Sequence, residues 1–145
     1  MKFSEVEEQT WPELKPYFDT CLIPFTGLSG TETPWEATAA LERLRDFMDM
    51  AEIPFKGRLV TYPAVQYGNT EDMKLLNEVC HNVKSIGFKF VVVMTADSEL
   101  SIEDVPESTL VLSRRRLEGS DSIPMPAIVS GQISEMWQQE SRVEL

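Results

Sequence analysis

The chain is poor in the residues that mark most catalytic and secreted proteins. Its two cysteines, Cys21 and Cys80, form no CxxC pair. That argues against a disulfide framework or a cysteine-built metal site, and two buried free thiols are expected. Its one histidine, His81, is predicted mid-helix beside Cys80. A hydrolytic triad has no other histidine to use, and a GxSxG elbow is missing, since Gly27-Leu28-Ser29-Gly30 is one residue short. His81 and Glu78 could supply two metal ligands, but no third is spaced to join them, so no metal and no cofactor is expected. No apolar run approaches the ~18 residues of a membrane span, and no membrane insertion is expected. The N-terminus, MKFSEVEEQTWPELK, is acidic and lacks an apolar h-region. No secretory leader is expected from it, and a cytoplasmic location follows.

What is present describes one ordinary domain, 1–145. Apolar residues make up 42% and charged residues 26%, enough for a hydrophobic core. Net charge is −11 and uneven: residues 1–55 hold 4 basic and 11 acidic side chains, whereas residues 56–90 hold 5 and 3. Such a chain repels nucleic acid at long range, so no nucleic-acid partner is expected.

Helical and extended patterns alternate along the chain. Thr10-Trp11-Pro12-Glu13 reads as the capped start of a short helix ending near Tyr17. Thr20 to Phe25 is an apolar strand stopped by Pro24 and Gly27. Thr33-Pro34-Trp35-Glu36 is a better capping box, followed by an apolar stripe of Ala37, Leu41, Leu44, Phe47, Met48 and Ala51. Arg58 to Tyr62 is a second strand closed by Pro63. Asn69 is placed to cap a helix with the stripe Met73, Leu76, Val79 or Cys80, Val83 and Ile86, with Gly87 past its end. Phe88 to Thr95 (FKFVVVMT) lacks polar alternation, which predicts a strand buried on both faces at the centre of a parallel sheet. Thr109 to Leu112 repeats that character. Ala127 to Val129 reads as a fifth strand or the lead-in to a helix over 131–141 capped by Ser130. Strands alternating with helices imply an α/β fold: a three-layer α-β-α sandwich, flavodoxin- or Rossmann-like, with a mainly parallel sheet of four or five strands.

A strand, a Gly/Ser/Thr loop and a helix can cradle a phosphate, and residues 26–36 read TGLSGTETPWE. The loop matches neither GxxxxGK[ST] nor GxGxxG and has no lysine. Thr33 takes a helix-end donor for itself, and Glu32 and Glu36 put negative charge where a phosphate would sit. The loop is read as a structural turn. Ligands in open parallel sheets bind beyond the carboxyl ends of the strands. The polar residues predicted there are Thr26 and Ser29, then Gln66 and Tyr67, then Thr95, Asp97 and Ser98, then Ser113 to Arg115. Asp97 on a ribose and Arg114 or Arg115 on a phosphate would suit a nucleotide or sugar phosphate. Arg114-Arg115-Arg116 has a second use, neutralising the chain's own Glu103, Asp104, Glu107 and Glu118. Met48, Met50, Trp35 and Trp137 are read as core packing.

Three stretches, TWPELKPYFDTCLIPF (10–25), FKGRLVTYPAVQY (55–67) and FKFVVVMT (88–95), resemble the YpiF-like family of small uncharacterised proteins from Bacillus-type Gram-positive bacteria. Asp19 to Pro24 and Gly57 to Leu59 carry the resemblance most specifically. It implies no catalytic residues, and it implies a link to respiration, since members tend to be encoded near components of a menaquinol–cytochrome c reductase. From the residues themselves, a non-enzymatic accessory domain acting on a protein partner is the leading expectation. The alternative is a small-molecule binder or weak enzyme using Gln66, Tyr67, Asp97, Ser98, Arg114 and Arg115. Oligomeric state is not legible.

Overall fold

The computed structural model describes residues 1–119 and 122–143. A 3₁₀ turn at Phe3–Glu5 is followed by α1 (Trp11–Leu14), β1 (Thr20–Leu28), α2 (Pro34–Glu52), β2 (Leu59–Thr61) and β3 (Val65–Tyr67). Then come α3 (Lys74–Ser85), β4 (Phe90–Thr95), β5 (Leu110–Ser113), α4 (Arg114–Leu117) and α5 (Met125–Val143). The five strands form one sheet in the order β2-β1-β4-β5, and β3 also pairs with β1. The strand pairings are parallel.

The unbroken apolar character of β1 and β4 is explained by two cores. Cys21, Ile23, Phe25, Val91 and Val93 point to one face, where Leu76, Cys80 and Val83 of α3 and Phe18 meet them. Leu22, Phe90, Val92 and Met94 point to the other, under Leu44, Phe47 and Ala51 of α2 and Val129 and Ile133 of α5. Successive strand residues face opposite sides, so a strand covered on both sides must be apolar throughout.

β1 runs through Pro24 to Leu28 rather than stopping at Phe25. Tyr62 N–H donates to Leu22 O, so the even-numbered residues of β1 turn their backbone groups toward the edge strand. That edge is itself broken at 62–64: Leu22 pairs with Thr61, Phe25 with Val65, and three residues oppose two. Proline's missing donor therefore falls where no ladder bond is made, which is the setting a strand tolerates.

Four further expectations change. Of the two readings of residues 127–129 the strand fails, and the helix expected from Gly131 starts six residues earlier, at Met125. Pro126 sits in its first turn, where a missing N–H costs nothing, and Ser130 is internal, its hydroxyl bonding back to Ala127 O. Thr10 does not cap with its side chain; its hydroxyl donates to Glu7 O instead. Asn69 caps a turn ahead of α3, accepting from Glu71 and Asp72 N–H, rather than the helix itself. On α2, Leu44, Phe47, Met48 and Ala51 of the expected stripe are buried, but Ala40 takes the core place expected of Leu41, and Leu41 and Trp35 are exposed.

At the amino ends of the strands a closed ring of contacts ties α5 to the sheet. Trp137 Nε1–H donates to Thr20 Oγ1 at 2.9 Å, and Thr20 donates to Asp19 at 3.0 Å. Asp19 accepts both arms of Arg58 at 2.9 and 3.1 Å, and the Arg58 guanidinium lies 3.9 Å over the Trp137 ring.

Candidate functional site

The chain leaves β1 toward β2 and β3 and returns to its other side for β4, so the crevice of this sheet falls between the ends of β1 and β4. The loops that follow those strands touch. A Cβ on Gly27, whose φ is +79°, would lie 2.6 Å from Ser98 Oγ and 3.2 Å from the Phe25 ring. Ser98 thus fills the divergence point against a residue that must be glycine. Its carbonyl also accepts the Ser113 hydroxyl at 2.6 Å, tying the ends of β4 and β5 together.

Asp97 is the electrostatic centre of this edge. Arg43 of α2 grips it with two bonds of 2.9 and 2.8 Å, and Arg114 reaches it at 3.4 Å. The Arg43 bond is the main reason its carboxyl is held below the usual aspartate range, helped by the charges of Arg114 and Arg115. Arg114 also donates to Ala96 O and pairs with Glu118 four residues on. The arginine run is not a loop. It is the single turn α4, capped by Ser113, whose Oγ accepts from Arg116 N–H. Arg116 donates to Leu100 O, and its charge helps hold Glu103 low, after the Ser101 side chain. Arg115 is exposed.

Gln66 and Tyr67 lie in β3 rather than in a loop. Gln66 Oε1 accepts the Thr26 hydroxyl at 2.6 Å, and Tyr67 is 61% exposed. The structure therefore gathers Asp97, Ser98, Arg114 and Arg115 on the β4–β5 side and leaves Gln66 and Tyr67 across β1. Arg43, on the exposed side of α2, completes the first group. A lone surface arginine carries no local signal, because its partner is 54 positions away.

The loop of residues 26–36 does cradle an anion, and the anion is its own. The Glu32 carboxylate accepts the N–H groups of Ser29 and Gly30 at 2.9–3.0 Å as well as the Ser29 hydroxyl. These bonds, the Ser29 backbone first, hold Glu32 below its ordinary value. Thr33 and Glu36 form the reciprocal cap of α2. His81 is exposed and faces Glu107 at 3.5 Å, not Glu78. Cys21 and Cys80 are buried free thiols, both pushed upward by burial, Cys80 to about 11. Among the described residues no three of His, Cys, Asp or Glu gather as a metal site, and no helix is long and apolar enough to cross a membrane.

These features define a three-layer α/β domain whose carboxyl edge is occupied by its own side chains. The chain belongs to the family described as Protein of unknown function (DUF2487), whose model matches residues 9–140. No curated protein and no solved structure matches it.

Proposed function

We propose that the chain is a non-enzymatic accessory domain that works through a protein partner docked at the carboxyl edge of its sheet. The observation that carries this reading is Trp35, which stands 73% exposed in the first turn of α2. Tyr67 at the same edge is also largely exposed, and Arg115 supplies a cation. Trp, Tyr and Arg are the residues that dominate binding energy at protein interfaces. Asp97, Glu32, Glu36 and Gln66 at this edge are bonded within the chain, whereas Trp35, Tyr67 and Arg115 face outward. The test is affinity capture from the source cells with the wild-type chain and the double variant Trp35→Ser/Tyr67→Ser. Both positions are exposed, so the variant should fold normally. A partner held by the wild type and lost from the variant supports the reading; a partner held equally by both refutes it.

The rival is a nucleotide or sugar-phosphate binder in which Asp97 takes a ribose and Arg114 or Arg115 a phosphate. Its support is the convergence of Arg43, Arg114 and Arg115 on one carboxylate in an otherwise acidic chain. The ribose would have to displace Arg43 from Asp97. A thermal-shift panel decides it, because a ligand at 100 times its Kd stabilises by about 2.7 kcal/mol, a shift of several degrees.

A further inference from the structure

A second concave surface is built where the N-terminal segment meets the sheet. Phe3, Val6, Trp11, Val60, Tyr62, Pro63 and Phe88 line a groove of about 480 Å³, and Glu8 is its charged residue. Four of these are aromatic, and they form a continuous chain of rings. Phe3 meets Tyr62 at 6.4 Å, Tyr62 meets Phe88 edge-on at 5.4 Å, and Phe88 meets Trp11 at 6.1 Å. Two distant parts of the sequence build it. The N-terminal segment supplies Phe3, Glu8 and Trp11, and the sheet side supplies Tyr62 and Phe88. The segment is held in place by its own bonds to the sheet edge: the Met1 amino group donates to Leu59 O at 2.9 Å, and Thr61 N–H to Met1 O at 2.8 Å. Lys2 adds an ion pair to Glu52 at 2.7 Å.

Aromatic faces carry negative quadrupoles, and several rings with a carboxylate make the environment that recognises an ammonium group stripped of water. The chain's net charge of −11 favours a cation at long range. Glu5, Glu7 and Glu8 lie together in the segment that forms one wall. The volume falls within the ~300–1,000 Å³ of small-ligand clefts. The chain already uses this chemistry elsewhere, on the opposite face of the sheet, where Arg58 lies over Trp137 and Phe90. We infer that the groove between the N-terminal segment and the Tyr62–Phe88 wall is a binding site for a small organic cation bearing a quaternary or alkylated ammonium head.

Choline and its uncharged isostere 3,3-dimethylbutan-1-ol have nearly the same shape and differ in charge, so together they isolate the claim. Each is titrated into the ¹⁵N-labelled full chain, with the indole N–H signals of Trp11, Trp35 and Trp137 read by NMR. Choline should shift the Trp11 signal saturably and leave Trp35 unmoved, and the isostere should bind at least about fivefold more weakly. Glu8→Gln and Phe3→Leu, both at exposed positions, should each weaken choline several-fold without changing the spectrum elsewhere. Equal affinity for the isostere would overturn the assignment, leaving an apolar groove without charge selection. So would a Trp11 signal that does not saturate, or choline binding unchanged in both variants.

Discussion

Replacing Arg58 with methionine tests whether the ring of contacts at the amino ends of the strands acts as a unit. The substitution keeps an apolar stem over the Trp137 indole and removes the guanidinium. The bidentate pair with Asp19 is partly solvated, with side-chain exposures of 39% and 28%, so it contributes about 1 kcal/mol rather than the larger value of a buried pair. The guanidinium over the indole at 3.9 Å adds about 0.5–1 kcal/mol. A loss near 2 kcal/mol, or about 4–8 °C in Tm, is expected from heat or urea unfolding. Trp137→Phe removes the indole donor to Thr20 and costs about 1 kcal/mol more than the lost area. Because Arg58 and Trp137 touch directly and share the Asp19–Thr20 link, their double variant should show a coupling of about 0.5–1 kcal/mol. Losses that simply add, within about 0.2 kcal/mol, would refute the closed ring and leave two independent contacts.

Asp97→Asn should destabilise the domain at neutral pH. Its native carboxyl is held below the aspartate range by Arg43, so that stabilisation is present above the unfolded value of about 3.9 and fades as pH falls through the lower native one. Unfolding curves of the two proteins should therefore converge at acid pH, and a constant gap would refute the Arg43 grip. Gly27→Ala should lose roughly 2–3 kcal/mol in urea unfolding, since the new Cβ meets Ser98 Oγ and the backbone is left-handed there. Ser98→Ala in that background should recover part of the loss. Neither thiol should react with a disulfide reagent at pH 8 until the chain unfolds, because burial raises both and puts Cys80 near 11. For the same reason native stability should decline above about pH 8.5, where unfolded thiols ionise and native ones do not.

The layered α/β class, the central β4 and the α2 cap were legible because each rests on local chemistry. A doubly covered strand has to be apolar at every position, and a Thr-Pro-x-Glu turn caps a helix wherever it occurs. The self-filled loop of residues 26–36 was legible for the same reason, since Glu32 and its donors are near neighbours. Much of the candidate site was not. Asp97, Ser98, Arg114 and Arg115 could be placed at one edge because each follows the carboxyl end of a strand expected to be parallel, yet Arg43, which holds Asp97, is 54 residues away and carries no mark of that role. Tertiary packing also decided that Pro24 stays inside a strand, that residues 125–130 are helical, and that Trp35 faces outward. Each outcome depends on what lies opposite: the broken edge beside Pro24, the sheet under Val129, and the register in which α2 sits on the core. Local chemistry fixes which elements form; where their side chains end up is set by partners far along the chain, brought near only by the fold.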